Sequence, residues 1–580
     1  MSVRPTNQAI ADALRLIADL LEIKGEVIYK ILAYRKAADA LTALGRDVRQ
    51  VWQQGELTAI PGVGKAIAEK IDELLRTGEL DFLNRLAEEV PLTLAEMLKI
   101  PGLGPKKVGL FWRELGITTI DELRAAAEAG RLRALPGMGA KSEARILRGI
   151  EALARRSGRI PLGVAWPFAQ DLLIFLRALP GVQAAEAAGS LRRMRATVGD
   201  LDLLAAAADS AAVIRAFTSR PDVVEILGQG TTKASVEFAN GLRAQLWVHP
   251  PERFGTALQY ATGSKDHNVR LRELALRQGY SLSEQALKRL EDDTEILCSR
   301  EEEVYRILGM SWIPPEMRED RGEIQAAREG KLPALIEVRH LRAELHCHST
   351  WSDGRASIRQ MAQAAIERGL QVLAITDHSQ SLGIANGLTP ERLRAQRAEI
   401  QSVQAELGDA ILLLQGAEVE IKADGSLDYS EEVLAGLDVV VASLHTSLSQ
   451  PREKITRRLL NAIRNPHVDI IGHPSGRLLP DREGADLDME AVLQAAAESG
   501  VALEINAHPS RLDLEDIYAR RAAEMGILLS INTDAHAPQD FDLAHFGVAV
   551  ARRAWLEPSH VLNAWTPARI RAWLEKRARP

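Results

Sequence analysis

The C-terminal part of the chain repeats one arrangement of residues, in which a short apolar run ends in a histidine or a carboxylate. Eleven of the 13 histidines lie after residue 339. Neutral imidazole is a good ligand for zinc, manganese or iron, and a carboxylate can bridge two cations. One such histidine is usually an ordinary hydrogen-bonded residue, but a set at equivalent positions predicts a site for several metal ions. The set comprises His346, His348, His378, Glu418, His445, His473, Asp534 and His536.

Seven apolar runs rich in Val, Ile and Leu carry these residues, and sequence of good helical propensity separates most of the runs. Alternating strands and helices predict a parallel sheet, and seven repeats are enough to close a barrel. Residues at the C-terminal ends of barrel strands face one mouth, so these side chains are expected to meet. The runs are 342–348, 372–378, 411–418, 439–445, 468–473, 501–508 and 527–536.

These motifs resemble the polymerase and histidinol phosphatase (PHP) domain over about residues 338–575. They read HCHS at 346–349, then Asp353, DH at 377–378, Glu418, SLH at 443–445, GHP at 472–474 and DAH at 534–536. The resemblance implies up to three ions, Mn²⁺ or Zn²⁺, and a catalytic role for His346, His348, Glu418 and Asp534. The implied ligands are His346, His348, Asp353, His378, Glu418, His445, His473, Asp534 and His536.

A second group of phosphate-handling residues lies near position 190. The sequence GSLRR at 189–193 predicts a Gly-Ser turn opening a helix, where backbone N–H groups and an arginine can hold a triphosphate. Asp200 and Asp202, two residues apart on a predicted strand, can hold a pair of magnesium ions. Together with ALQYATGSKDHN at 257–268, these motifs resemble the nucleotidyltransferase palm of family X DNA polymerases. The resemblance implies that Asp200 and Asp202 are catalytic ligands of Mg²⁺ or Mn²⁺, and that the nucleotide-binding residues are Gly189, Ser190, Arg193, Tyr260, Gly263, Ser264 and Asn268.

One position departs from that family. Its third catalytic carboxylate falls at Gln245, and a neutral amide attracts a cation less strongly and accepts no proton at working pH. The aromatic pair of the nucleotide pocket is Tyr260 followed by Ala261, so the second ring is missing. We therefore expect weak or absent polymerase activity, with Glu237 as a candidate replacement for the missing carboxylate.

Three related loops interrupt helical sequence between residues 5 and 160, namely IPGVGK at 60–65, IPGLGPKK at 100–107 and LPGMGAK at 135–141. In each, two glycines expose backbone N–H groups and a lysine follows as the next helix begins, which predicts an anion site. The loops resemble the helix-hairpin-helix motif, which holds DNA phosphates without reading bases. The expected phosphate-binding residues are Gly62, Gly64, Lys65, Lys70, Gly102, Gly104, Lys106, Lys107, Gly137, Gly139 and Lys141.

The first loop lies within a longer match. YKILAYRKAA at 29–38 and GVGKAIAEKIDELL at 62–75 resemble the small N-terminal domain of family X polymerases. In animal repair members that domain removes a 5′-deoxyribose phosphate through a lysine Schiff base. Lys70 matches that lysine and Lys30 matches a supporting one, but Ala66 replaces a further basic residue. We expect 5′-phosphate binding and leave the lyase reaction open, because a lysine on an amphipathic helix is usually a solvated charge.

The composition of the 580 residues limits the class of protein further. Two cysteines far apart in sequence, Cys298 and Cys347, argue against a disulfide framework and favour a reducing cytoplasm. The N-terminal sequence MSVRPTNQAI has no apolar core of a signal peptide, and no run approaches the roughly 18 apolar residues of a membrane helix. The net charge of −7 combines +4 in residues 1–300 (41 Lys+Arg, 37 Asp+Glu) with −11 in residues 301–580 (31 and 42), so the first half is compatible with DNA.

The whole chain resembles a bacterial family X DNA polymerase with a C-terminal PHP domain. The predicted fold is multidomain α/β, with all-α helix-hairpin-helix domains (1–80 and 81–158), an α+β palm (159–256) and thumb (257–312), an exposed linker (313–337) and a distorted (β/α)7 metal barrel (338–575). The resemblance implies a monomeric base excision repair enzyme with metal-dependent 3′–5′ exonuclease activity on gapped, nicked or recessed DNA of any sequence. Deoxynucleoside triphosphates are further expected ligands. The alternatives are an active gap-filling DNA polymerase and a non-catalytic protein that binds DNA ends or gaps.

Overall fold

The chain folds as two compact units, residues 1–158 and 159–580. The computed structural model describes residues 7–42, 48–60, 62–100, 103–157 and 159–577. No helix within these ranges combines the length and the apolar character that a membrane crossing requires.

The described part of the first unit consists of helices joined by short loops, as the sequence predicts. Apolar residues at helical spacing, such as Ile67, Ile71 and Leu75, turn toward a common core. The helices are α1 (Asn7–Lys24), α2 (Ile28–Thr42), α3 (Val48–Gln53), α4 (Lys65–Thr77), α5 (Asp81–Glu89), α6 (Thr93–Met97), α7 (Pro105–Leu115), α8 (Ile120–Glu128) and α9 (Ala140–Ser157).

The second unit begins with a five-stranded sheet in the order β2-β4-β7-β6-β5, in which only β4 and β7 pair in parallel. The elements are β1 (Ile160–Pro161), α10 (Leu162–Ala178), β2 (Val182–Ala187), α11 (Gly189–Arg192), β3 (Thr197–Val198), β4 (Leu201–Ala207), α12 (Ser210–Thr218), β5 (Val223–Gln229), β6 (Lys233–Phe238) and β7 (Arg243–His249). The register places Gln245 directly beside Asp202. The sheet therefore places Gln245, which departs from the family pattern, next to the predicted catalytic residue Asp202.

A smaller helical region with a three-stranded sheet, in the order β10-β9-β8, follows the palm sheet. Its elements are α13 (Phe254–Thr262), α14 (Lys265–Arg277), β8 (Tyr280–Leu282), β9 (Leu287–Arg289), β10 (Glu295–Ile296) and α15 (Glu301–Ile307). The turn between α13 and α14 contains the Thr-Gly-Ser sequence of the expected nucleotide site.

Residues 313–337 do not form the exposed linker that their charges predict. They contain a short helix, α16 (Glu323–Arg328), and Arg318 and Glu323 are completely buried. The prediction is wrong because the charges pair with residues distant in sequence. Arg318 bonds Glu301 of α15, and Glu323 accepts a hydrogen bond from His267 at 2.7 Å. Both buried side chains therefore have a partner for their charge.

The C-terminal region is a seven-stranded parallel sheet whose strands pair in chain order, which confirms the predicted barrel. A parallel bridge between Cys347 and Ala535 brings the first strand to the last. Almost every strand residue is buried, as expected for a parallel sheet covered on both faces. The strands are β11 (Ala343–Cys347), β12 (Val372–Ile375), β13 (Leu412–Glu420), β14 (Val439–Ser443), β15 (Ile470–Gly472), β16 (Ala502–Asn506) and β17 (Leu529–Asn532). The helices are α17 (Ile358–Glu367), α18 (Pro390–Leu407), α19 (Glu431–Ala435), α20 (Arg452–Ile463), α21 (Met489–Ser499), α22 (Asp516–Glu524), α23 (Ala544–Arg553) and α24 (Pro567–Arg577).

Candidate metal centre and nucleotide site

The predicted metal ligands lie at the C-terminal ends of the barrel strands. His348 directly follows β11, whereas Glu418 lies inside β13, because that strand continues to Glu420 beyond its predicted end. His473 and Asp534 follow β15 and β17 with left-handed backbones, at φ 27° and 54°. Such a backbone is uncommon outside glycine and is concentrated at functional sites.

Eight of the nine predicted ligands form three groups whose donor atoms lie within 4.8 Å of one another. The groups are His348, Asp353, His378 and His536; His346, His348 and Asp534; and His378, Glu418 and His445. The ninth residue, His473, places Nε2 2.8 Å from Oε1 of Glu418. Imidazole nitrogens and carboxylate oxygens in three overlapping groups can hold up to three divalent ions.

Several of these donor atoms are buried without a hydrogen-bond partner among the described residues. They are His346 Nε2, His348 Nδ1, His378 Nδ1, Glu418 Oε2 and His473 Nδ1, although His378 Nδ1 and Glu418 Oε2 lie 2.8 Å apart and contact each other without the orientation of a hydrogen bond. Buried side-chain polar atoms usually have a partner, so five such atoms in one cluster need an explanation. Metal ions at these atoms would supply it, and the donor set fits Mn²⁺ or Zn²⁺.

The electrostatics give Glu418 and His348 the protonation states that a metal needs. Burial lowers the pKa of four other predicted ligands, but nearby carboxylates outweigh burial and raise that pKa, so these imidazoles lose a proton when a cation binds; they are His346, His378, His445 and His536. Burial raises the pKa of Glu418, but His445, His378 and His346 outweigh burial and hold that pKa well below its usual value. Burial, together with His536 and His378, lowers the pKa of His348 to about 3. An ionised glutamate and a neutral imidazole are the forms that coordinate divalent cations.

Two carboxylates that orient ligand histidines have no place in the sequence prediction. Glu504 accepts a hydrogen bond from Nδ1 of His346 at 2.7 Å, and Glu420 accepts one from Nδ1 of His445 at 2.7 Å. These bonds fix the ring tautomers and leave both Nε2 atoms for a metal. The sequence carries a weak signal for both, since Glu420 shares a strand face with Glu418 and Glu504 is a lone acid within an apolar run.

Glu504→Gln is therefore expected to weaken metal binding by about 10- to 100-fold, the usual effect of losing such an orienting carboxylate. Calorimetric titration of the metal-free protein with Mn²⁺ measures this change. The matched control is Glu406→Gln, because Glu406 is an exposed residue of α18 that bonds Arg359. Equal Mn²⁺ affinity in the Glu504→Gln variant and the unchanged protein would refute the orienting role.

An arginine also lies at this centre. Nε of Arg511 is 3.6 Å from Oδ2 of Asp534, and Arg477 holds the Arg511 carbonyl through a 2.7 Å hydrogen bond. Asp513, two residues further on, accepts hydrogen bonds from Ser475 and fixes the same loop. A guanidinium held beside a metal centre can bind a phosphate oxygen. The sequence prediction omits Arg511, whose one signal is its position shortly after the sixth apolar run.

The palm carboxylates form a separate site. Gly189, at φ 57°, lies so close to Asp202 that a Cβ at this position would overlap the carboxylate. Burial and the neighbouring Asp200 raise the pKa of Asp202 to about 6, although Lys233 and Arg193 oppose the shift. Two repelling carboxylates favour a cation between them.

Glu237 is poorly placed to replace the missing third carboxylate. It lies on β6, one strand beyond Gln245, where it pairs with Arg243 at 2.9 Å. Gln245 therefore occupies the position beside Asp202, and the alternative that Glu237 substitutes for it finds no support in the sheet.

The expected nucleotide-binding residues belong to two segments that contact each other. Arg193 follows α11, and its Nη1 donates a 2.6 Å hydrogen bond to the carbonyl of Thr262. Ser264 caps α14 by accepting a hydrogen bond from the His267 N–H, and the Asn268 amide donates one to the Tyr260 carbonyl. The structure thus joins the Gly189–Arg193 segment to the turn at 262–264.

The loops of the first unit have the backbone that an anion site requires. Gly62 and Gly137 have φ of 81° and 74°, which favours glycine. Gly64 and Gly104 are the N-cap residues of α4 and α7, and neither helix start has a side-chain cap. Gly139 directly precedes α9, and Gly102 lies outside the described residues.

The lysines of these loops lie at the surface. Lys65, Lys106 and Lys141 are exposed, and Lys107 is half-buried. Lys70 is half-buried, and its ammonium group lies 4.7 Å from the centre of the Phe82 ring, with that of Lys30 5.9 Å from the same ring. Two ammonium groups on one aromatic ring are compatible with a 5′-phosphate site.

The fold and these sites define a class of protein that combines helix-hairpin-helix DNA binding, a polymerase-like middle and a PHP barrel. Family models match residues 5–80 (helix-hairpin-helix domain), 94–152 (SAM-like helix-hairpin-helix tandem), 257–319 (DNA polymerase beta thumb) and 344–508 (PHP domain). The "DNA polymerase/3′-5′ exonuclease PolX" of Bacillus subtilis is 39% identical over 97% of this chain and 98% of the relative. A probable phosphatase of Thermoanaerobacter sp. is 35% identical over 41% of this chain and 95% of the relative. The chain belongs to the bacterial PolX family.

Proposed function

We propose that this chain is a DNA repair enzyme whose barrel is a metal-dependent 3′–5′ exonuclease and DNA end-processing phosphoesterase. The observation that carries the proposal is the three groups of ligand residues, which contain buried donor atoms without hydrogen-bond partners among the described residues. The Bacillus subtilis relative is named a DNA polymerase/3′-5′ exonuclease, which supports the same activity here. Digestion of an end-labelled duplex in Mn²⁺ tests the proposal.

In this proposal, the nine barrel residues would hold Mn²⁺ or Zn²⁺ ions, which when bound would supply a nucleophile at neutral pH and neutralise charge on the phosphate. The protein's own residues fix the positions of the reacting groups. Glu418 lies within 3.6 Å of five predicted ligand histidines. Asp534 shares a group with His346 and lies 3.6 Å from Arg511. Arg511 then contacts the phosphate that is cleaved, and Glu504 keeps His346 in one tautomer.

We propose weak or absent nucleotide insertion at the palm, because Gln245 stands beside Asp202 where the family has a carboxylate. Deoxynucleoside triphosphates with Mg²⁺ or Mn²⁺ are the expected ligands. The second candidate function is active gap filling. It is favoured by the two palm carboxylates, because burial and then the neighbouring Asp200 raise the pKa of Asp202 to about 6, and such a pair suits a bound cation.

The first unit is proposed to bind gapped, nicked or recessed DNA through phosphates at its three loops, and the deoxyribose phosphate lyase reaction stays open at Lys70.

Within the second unit we propose the palm at 159–256, the thumb at 257–312 and the barrel at 338–575, and in the first unit domains at 1–80 and 81–158. Cys298 and Cys347 are both buried and unpaired, which is compatible with the cytoplasm that we propose as its compartment.

Replacing Lys106 and Lys107 together by glutamine is expected to weaken binding to every DNA sequence equally. Each lost phosphate contact should also flatten the slope of the logarithm of the DNA association constant against log[salt] by roughly 0.9. Fluorescence anisotropy with two duplexes of unrelated sequence, over a range of salt concentrations, measures both effects. Lys24→Gln is the control, since Lys24 is paired with Glu89. A loss confined to one of the two sequences would contradict a phosphate contact.

A further inference from the structure

An arginine of the barrel reaches into the expected nucleotide site of the palm. Arg553, at the end of α23, is 3% exposed. Its Nη1 donates hydrogen bonds to the main-chain carbonyl of Arg193 at 2.8 Å and to Oε1 of Glu319 at 2.9 Å. Its Nη2 donates a hydrogen bond to Asp516 of the barrel at 3.1 Å, so a barrel residue also holds this guanidinium.

Glu319 bonds the side chain of Arg193 as well as that of Arg553. The same Oε1 atom accepts a hydrogen bond from Nε of Arg193 at 3.1 Å. Nη1 of Arg193 then bonds the Thr262 carbonyl and lies against Gly263, where a Cβ would come within 3.1 Å of it. The Arg193 guanidinium is therefore held on one edge by Glu319 and on the other by the turn at 262–264.

We infer that Arg553 is a positioning residue for nucleotide binding by the palm, an inference that rests on the nucleotide site in the proposed function. Arg553 fixes both the main chain of Arg193 and the carboxylate that orients its side chain. Without Arg553, the Arg193 carbonyl loses this donor, and among the described residues Glu319 keeps Arg193 and the more distant Arg195, at 3.8 Å, as ion-pair partners. Charge-assisted bonds in a buried network depend on geometry, so the loss of one member shifts the others.

This role follows from the packing and has no signal in the local sequence. Arg553 lies outside the stretch 344–508 that matches the PHP domain and 360 residues from Arg193. The thumb match ends at Glu319, the residue that joins the two arginines. A barrel residue thus completes the palm site, and the barrel contributes to nucleotide binding in addition to its own chemistry.

The test compares Arg553→Met and Arg553→Lys with a matched control, Arg552→Met. Arg552 also bridges the barrel to the segment 313–337, through a 2.7 Å bond to Glu316, but it does not touch Arg193. The first readout is binding of a fluorescent deoxynucleoside triphosphate in Mg²⁺ to the full chain. The second is KM and kcat for single-nucleotide insertion into a gapped duplex whose 3′ end is protected by a phosphorothioate, with Gln245→Asp present in every variant so that insertion is fast enough to measure.

Arg553→Met is expected to raise the nucleotide Kd and KM about tenfold with little change in kcat, because a displaced guanidinium weakens one charge-assisted phosphate contact. Arg553→Lys should restore part of the affinity, and Arg552→Met should bind as the unchanged protein does. Exonuclease activity and the unfolding temperature establish that each variant is folded. If Arg553→Met does not fold, Glu319→Gln is measured instead, with the same rise in Kd expected.

Three results overturn the inference, and the last of them is distinguishable from the first two. Equal nucleotide affinity in the unchanged protein and folded Arg553→Met would show that Arg553 has a structural role alone, as would an equal loss in Arg552→Met. No nucleotide binding by the unchanged protein would overturn the nucleotide site itself, and the inference with it.

Discussion

Replacing His346 and His348 together by alanine is expected to reduce digestion of DNA 3′ ends by at least about 1,000-fold, because metal ions contribute several kcal/mol to such a hydrolysis. His346 and His348 share a ligand group with Asp534, and His348 belongs to a second group as well. The double variant therefore loses donors to two of the three groups. Binding to DNA should change little, since the expected phosphate contacts lie in the first unit.

The measurement is the shortening of a 5′-labelled duplex from its 3′ end in Mn²⁺. Fluorescence anisotropy on the same duplex measures binding. The matched control carries two histidine-to-alanine changes elsewhere in the barrel, at His467 and His560. These histidines bond Glu431 and the Glu557 N–H, respectively, and neither belongs to a ligand group. Undiminished digestion by the His346→Ala/His348→Ala variant would place the nuclease elsewhere in the chain.

Gln245→Asp is expected to raise nucleotide insertion on the order of 100-fold, the effect of several kcal/mol of added charge stabilisation. The register places the new carboxylate beside Asp202, next to Asp200, which completes a set of three anionic ligands. An amide holds a cation less tightly and leaves the 3′-hydroxyl with its proton. A carboxylate at this position favours the alkoxide that attacks the incoming nucleotide.

Single-nucleotide insertion into a gapped duplex measures this change, in the His346→Ala/His348→Ala background so that digestion does not remove the product. Gln229→Asp is the matched control, because it makes the same substitution at an exposed position of the edge strand β5. If the unchanged protein already inserts as fast as Gln245→Asp, the missing carboxylate is unimportant, and the interpretation of the palm is wrong.

Much of the barrel could be predicted because its signals are local in sequence. Each buried strand is a short apolar run, and most of the predicted ligands lie at or just after the end of a run, as His378 follows β12 and His473 follows β15. The repeated strand and helix pattern leaves few alternatives to a parallel sheet. Eight of the nine predicted ligands at one mouth follow from that topology, and Asp353 is expected only from the family resemblance.

What the sequence could not show depends on contacts between distant residues. Glu504 resembles any acid in a strand until the fold brings it to His346. The charges of residues 313–337 indicate an exposed linker. Arg318 is nevertheless buried and bonds Glu301, and Arg321 bonds Asp516 at 2.7 Å. Pairing across long sequence separations is invisible to composition and periodicity.

The most direct test of the central claim is one experiment with a 5′-labelled gapped duplex, Mn²⁺ and the full chain, with and without deoxynucleoside triphosphates. The account predicts a ladder of products shortened from the 3′ end in both reactions, with little extension when nucleotides are present. The same preparation, analysed for bound metal, should contain divalent ions that the His346→Ala/His348→Ala variant lacks. Extension without shortening, or a duplex left unchanged by the metal-loaded protein, would contradict the proposal that the barrel is the nuclease.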